Sequence, residues 1–174
     1  SFFIGGHPMA GAEKTGYQAA TAYLLENAYY ILTPTAKTDT TVLHAFRDYI
    51  ASLGSVPMIM DAKTHDHATA SISHLPHIIA ASLVNLIRET DDENETMKTI
   101  AAGGFKDITR IASSSPVMWQ HICASNREQI LTLIDRYTEE LNTMRSLIAE
   151  KKETEIYDFF SHAKDYRDSI TITS

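Results

Sequence analysis

The residues most able to do chemistry stand in two stretches, HDHATASISHLPHIIAASL and GGFKDITRIASSSPVMW, which together hold Asp66, Ser73, His77, Asp107, Arg110 and Trp119. Ordinary core helices do not need so many polar groups set into apolar sequence. Arg110 carries a planar fork that can grip a carboxylate at two points. Asp107, three residues earlier, can orient that fork, and Gly103 and Gly104 let the backbone approach a ligand or take positive φ. The plainer alternative for Asp107 and Arg110 is a surface ion pair of little consequence. His7 lies between Gly6 and Pro8 at the end of a strand-like segment. Strand ends and the loops after them are where α/β sites form, and a neutral imidazole there can act as a general base near neutral pH. The combination reads as an anion-binding site with a base at its edge.

Asp66 and His77 are eleven residues apart. On a straight helix that leaves them about 20° from one face and roughly 16 Å apart along the axis. Asp66, Ala70, Ser73, His77 and Ala81 then form a small or polar stripe, suited to a cavity wall or to a hydrogen-bonded helix seam. His65, His67, His74 and His77 invite a metal reading. However, the closest helical pair, His74 and His77, is spaced by three with Pro76 between, not by the four of an H-E-x-x-H site. No metal is expected. Trp119, the only tryptophan, suits a core or an interface as well as a pocket. Cys123 has no evident base beside it and reads as core.

The elements that must hold these groups follow from periodicity and punctuation. Residues 1–6, 28–33 and 56–60 read as strands, the third interrupted by Pro57. Residues 17–26 read as a weak helix. Residues 38–53 form a helix with Val42, Phe46, Tyr49, Ile50 and Leu53 at threes and fours, stopped by Gly54. Residues 61–88 read as one long helix bent at Pro76. A short helix over 95–102 ends at Gly103 and Gly104, and a helical turn covers 107–112. Ser115 caps a helix that starts at Pro116. Residues 126–152 and 154–167 are the last helices, followed by a frayed Ser/Thr tail. Glu13 and Lys14 fix the loop after His7. The fold class is mainly α: three strands and a helix lead into a run of helices, and the strands look like the trailing edge of a larger sheet.

Composition narrows the partners. The 174 residues are 44% hydrophobic with a formal net charge of −7. That is enough for a packed core, and it argues against nucleic acid or an anionic membrane, since both need a basic face. One cysteine excludes a disulfide framework and suits a reduced, cytoplasmic setting. The apolar runs fall short of the roughly 20 residues of a membrane span. No G-x-G-x-x-G follows a strand.

Taken together, GGHPMAGAEKTG, the HD pair with SISHLPH, and GGFKDITRIASSSPVMW resemble the prephenate dehydrogenases of tyrosine biosynthesis, in the family's order and over nearly the whole chain. The resemblance implies oxidative decarboxylation of prephenate to 4-hydroxyphenylpyruvate with NAD or NADP as hydride acceptor. It implies His7 as the catalytic proton acceptor and Arg110 as the carboxylate-binding residue. Asp66 would pair with and hold Arg110. His77 and Gly103 would lie against the substrate, Asp107 would shape the pocket, and Trp119 would approach it from the same chain or a partner. It implies a helical dimerisation domain preceded by a few strands from the edge of a Rossmann-type sheet: residues 1–60 would be the trailing part of a nucleotide-binding domain with the His7 loop, and 61–174 an all-helical substrate-binding and dimerisation domain. It implies a homodimer. Ala12 departs from the family by replacing a hydroxyl residue. The nucleotide-binding half is expected to precede Ser1, leaving this chain a part that turns over nothing alone, with its cofactor-binding residues elsewhere. The rival readings are an arogenate dehydrogenase and a non-catalytic helical dimerisation module.

Overall fold

The computed structural model describes residues 3–11 and 16–170. Ser1, Ala12, Glu13, Lys14 and the tail from Thr171 lie outside the described residues. Contacts divide the chain into two compact units, Ser1–Ile130 and Leu131–Ser174.

In the first unit three strands, β1 (Ile4–Pro8), β2 (Tyr29–Pro34) and β3 (Val56–Ile59), form one sheet in that order. β1 runs antiparallel to β2 with His7 opposite Ile31, and β3 runs parallel to β2. The central strand carries the core of the sheet through Ile31 and Leu32, the latter fully buried. Two glycines let β1 lie close against β2: a Cβ on Gly6 would fall 2.9 Å from the Tyr30 ring, and one on Gly5 2.3 Å from Thr33 Oγ1. The sequence has therefore kept side chains off the strand that carries His7.

Helix α1 (Thr40–Ser52) bridges β2 and β3. Asp39 caps it, accepting from the backbone N–H groups of Thr41 and Val42 at 2.8 and 3.1 Å. Leu43 and Ile50 carry its buried stripe, whereas Val42 and Tyr49 are exposed. Gly54, at φ +85°, ends it. The helix expected over 17–26 does not form. Only a 3-10 turn, Tyr17–Ala19, is present, followed by i→i−3 bonds such as Glu26 N–H to Tyr23 O. Tyr17 and Tyr23 stay largely exposed, so no buried face rewards helix propagation there.

The long helix is present but not uniform. It consists of α2 (Ala62–Thr69), capped by Asp61, a π-helical turn at Ala70–His74, and α3 (Leu75–Thr90). In the π turn the Leu75 N–H reaches Ala70 O, five residues back. The widening ends just before Pro76, whose missing N–H and bulky ring disrupt a regular preceding turn. The irregularity expected at Pro76 is thus a π turn upstream of it. Taken as one run, Ala62–Thr90 is 29 residues long and, by length and composition alone, apolar enough to cross a bilayer. Reading the apolar runs one at a time missed this, because His, Ser and Asn interrupt them without adding charge.

Beyond the acidic stretch 91–95 lie α4 (Thr96–Ile100), α5 (Gly103–Thr109) and a 3-10 turn, Arg110–Ser113. Gly103 and Gly104 open α5 rather than close α4. Neither has positive φ, and a Cβ on either would meet nothing within 4 Å. α6 (Pro116–Ser125) begins as expected, with Ser115 Oγ accepting from the Met118 N–H. α7 (Arg127–Ala149) follows, and its Ile130 is buried. The second unit holds the remainder of α7 and α8 (Glu153–Ser169), which meet at Lys151 in the left-handed region. On these helices Leu141, Ile148, Tyr157, Phe160 and Tyr166 are exposed.

Candidate active site

The end of β1, the π turn, the start of α3, the 3-10 turn at Arg110 and helix α6 surround a cleft of about 810 Å³. Its walls include His7, Ser73, His74, His77, Arg110 and Trp119, with Met118 and Ile122 as apolar surface. Five of the sequence-predicted residues, His7, Ser73, His77, Arg110 and Trp119, are thereby brought to one space. Asp66, Gly103 and Asp107 are not among its lining. Gly103 and Asp107 lie exposed on α5.

The π turn explains the position of Asp66. A turn with an extra residue rotates everything after it by about 100° relative to a regular helix. Ser73 and His77, four apart, stay on one face, while Asp66 leaves it. Its carboxylate meets His65 instead: Oδ1 is 2.8 Å from His65 Nδ1. The other His65 ring nitrogen, Nε2, is 2.8 Å from His7 Nδ1, and the two rings meet edge to face. Thr69, buried beneath them, has its Oγ1 3.4 Å from His65 Nε2. His65 was missed as a site residue. Adjacent helical positions do not face each other as i,i+4 pairs do, so the HD dipeptide gives no hint that its imidazole turns both to Asp66 and to a strand 58 residues away.

Burial holds the His7 imidazole below the ordinary histidine value of 6.5, and the neighbouring His65 adds to the effect. His74 is lowered too, first by burial and then by His7 and His77. Both are neutral near pH 7. His7 can accept a proton there, which a charged imidazole could not.

The His77 ring is held from behind: its Nδ1 lies 2.9 Å from the Ser73 carbonyl, which can only accept, so Nδ1 carries a proton and donates it there. Its ring stacks on Trp119 with centroids 4.0 Å apart, and His74 meets the same indole edge-on at 6.0 Å. The Trp119 Nε1–H is buried with no hydrogen-bond partner among the described residues. A buried donor left unpaired costs stability, so this one is poised for an acceptor that enters the cleft. Beyond the His77–Trp119 stack a second groove of about 560 Å³, lined by Ile78, Val84, Ile111 and Cys123 among others, is mainly apolar.

Among the described residues no carboxylate lines the main cleft, whereas Arg110 does. A cationic fork, a neutral base, an unpaired indole donor and apolar walls suit a small anion with a ring. Among the described residues no group of three His, Cys, Asp or Glu side chains is placed to hold a metal.

Comparison with known proteins places the chain in a family. Residues 61–162 match the family model described as prephenate dehydrogenase, dimerization domain, and residues 1–59 match prephenate dehydrogenase, nucleotide-binding domain. A prephenate dehydrogenase of Bacillus subtilis (strain 168) is 42% identical over 170 residues, 98% of this chain and 46% of that protein. A cyclohexadienyl dehydrogenase of Zymomonas mobilis is 33% identical over 92% of this chain and 55% of that protein. Among solved structures, prephenate dehydrogenase from Aquifex aeolicus in complex with hydroxyphenyl propionate and NAD+ superposes with a TM-score of 0.91 at 36% identity, over 97% of this chain and 59% of that one. Synechocystis arogenate dehydrogenase gives 0.88 at 30% identity, over 97% and 61%. The chain spans about half the length of the curated relatives it matches.

Proposed function

This chain belongs to the prephenate dehydrogenase family, and we propose that it supplies the substrate site for oxidative decarboxylation of prephenate to 4-hydroxyphenylpyruvate. The observation that carries the reading is the presence of His7 and Arg110 on one cleft. In the reaction the ring's carbinol carbon loses hydride, its hydroxyl proton passes to His7, and the ring carboxylate leaves as CO2. The electron pair of the broken C–C bond completes the aromatic ring, and the proton returns to the phenol oxygen. Aromatisation makes the chemistry strongly downhill, so the protein's share is to hold the dianion, align it and manage that proton.

Arg110 binds a carboxylate bidentately in this reading, and the indole N–H of Trp119 donates to a second acceptor on the substrate. Ser73 and His77 line the same space. Asp107 and Gly103 act from α5, behind Arg110, by shaping the turn that presents the guanidinium. The cleft takes Ser73, His74 and His77 from the one helix among the described residues that is both long and apolar enough to cross a bilayer, which supports a site-building role for that helix.

The hydride acceptor is a nicotinamide dinucleotide, NAD or NADP, whose binding domain in the family matches residues 1–59. The described strands alone do not offer a pyrophosphate cradle: the N-terminus of α1, the helix that follows β2, is closed by the carboxylate of its own Asp39. The chain's residues are therefore read only for what they do to the substrate.

A homodimer belongs to the same proposal. It is supported by the dimerization-domain match and by aromatic side chains left open on α8, where Tyr157 is 73% and Phe160 62% exposed. So do the boundary between residues 60 and 61 and a cytoplasmic setting. Arogenate, with an amine where prephenate has a keto group, is the second reading, favoured by the likeness to the Synechocystis enzyme. Joining this chain to the remaining nucleotide-binding portion of the Bacillus subtilis relative and assaying NADH formation tests both. Prephenate-dependent turnover is expected. Turnover with arogenate alone would exchange the substrate, and turnover with neither would refute the reading.

A further inference from the structure

We propose that His65 and Asp66 are positioning residues for His7: together they hold its proton on Nδ1, so that Nε2 is the bare nitrogen offered to the substrate hydroxyl. The proposal rests on the reading of His7 as the proton acceptor. It comes from two contacts, each 2.8 Å, that join a carboxylate and two imidazoles end to end.

The tautomers follow from which atoms can only accept. The Asp66 carboxylate accepts, so the proton between it and His65 sits on His65 Nδ1. A neutral His65 then has a bare Nε2. Its contact with His7 Nδ1 needs one proton, and only His7 can supply it. Nε2 of His7, which has no hydrogen-bond partner among the described residues, is left without a proton. Thr69 Oγ1 also reaches toward His65 Nε2, but at 3.4 Å it is a weaker partner than His7. The opposite arrangement, a doubly protonated His65 donating at both ends, would place the His7 proton on Nε2 and block the acceptor.

The chain also runs from inside to outside. The His65 side chain is 18% exposed and that of Asp66 53%. The carboxylate is open to solvent, whereas the His65 ring is largely covered. When His7 takes the hydroxyl proton, its Nδ1–H remains donated to His65, and the Asp66 charge faces the new imidazolium through that ring. Among the described residues, the other charged or titratable groups that line the cleft with His7 are all basic: His74 from the π turn, His77 from α3, and Arg110 from the 3-10 turn. Asp66 is thus the one carboxylate tied to His7 by hydrogen bonds among the described residues. This assigns Asp66 to His7, where family resemblance alone assigns it to Arg110.

The chain itself suffices for the test, since ring protonation can be read without turnover. In the protein labelled with 15N-histidine, long-range 1H–15N correlations at pH 7.5 should show both His7 and His65 protonated on Nδ1. A hydrogen bond in a chain ended by a charge supports a tautomer preference of roughly tenfold. In Asp66→Asn and in His65→Leu the His7 signal should become a mixture of tautomers. His65→Gln, whose amide oxygen can accept in place of Nε2, should restore the Nδ1 proton. The half-exposed Asp66→Asn carries the test should His65→Leu not fold. A parent protein with the His7 proton on Nε2 would overturn the proposal, as would a His7 signal unmoved by Asp66→Asn. Turnover surviving His7→Asn would instead remove the base role of His7 and leave the tautomer result standing, so the two failures are distinct.

Discussion

The ring of His77 lies 4.0 Å from the indole of Trp119, tilted by 28°, and the two side chains form the wall between the main cleft and the apolar groove behind it. His77 is anchored from behind by the Ser73 carbonyl. The indole N–H has no such anchor among the described residues.

That difference predicts the behaviour of Trp119→Phe. The stacked surface survives and the unpaired donor disappears, so unfolding free energy should change by less than about 1.5 kcal/mol, the ordinary cost of a conservative apolar swap. If the donor serves the substrate, KM for prephenate should rise roughly tenfold, the worth of one hydrogen bond to a charged group. Denaturant titration and steady-state kinetics on the joined protein check the pair of effects.

Acid should weaken the fold in a defined window. Unfolded His7 and His74 titrate near 6.5, and their folded values are lower. Between the folded values and 6.5 the unfolded chain binds more protons, so stability is at its full value above 6.5, declines as pH falls through the window, and levels off below it. Asp61 and Asp92 are held below 3.8 by hydrogen bonds and act only at lower pH. Urea unfolding at pH 7.5 and pH 5.5 should show the decline, and His74→Gln should reduce it.

Gly6→Ala should misplace the base without touching it. The added methyl would stand 2.9 Å from the Tyr30 ring, so β1 must shift or the ring must turn. Overpacking of this kind costs about 1–3 kcal/mol. Because His7 is the next residue, kcat should fall by more than the stability loss accounts for. A variant with normal kcat and lowered thermal midpoint would show that the strand is looser than drawn.

Much of this was open to reading in the sequence where the signal is local. The Ser115–Pro116 start of α6, the Gly54 stop and the three strands each follow from one or two residues of strong preference. His7, Ser73, His77, Arg110 and Trp119 stood out because polar groups set in apolar sequence need a reason. What was hidden depends on tertiary context. Residues 17–26 have helical composition but no core to pack on. Gly103 and Gly104 look like a helix stop yet open the next helix. The π turn at Ala70–His74 changes the phase of the helix on which Asp66 was placed. The partnership of His65 with His7 spans a strand and a helix and leaves no mark in the spacing of either.

The central claim is that His7 and Arg110 act on one small dicarboxylate, the first on its hydroxyl and the second on a carboxylate. Steady-state kinetics with prephenate for His7→Asn and Arg110→Ala in the joined protein tests it most directly. The account predicts that His7→Asn lowers kcat by roughly 10²- to 10⁴-fold with KM nearly unchanged, and that Arg110→Ala raises KM by roughly ten- to a hundredfold. A His7→Asn protein that keeps its kcat, or an Arg110→Ala protein that keeps its KM, would contradict it.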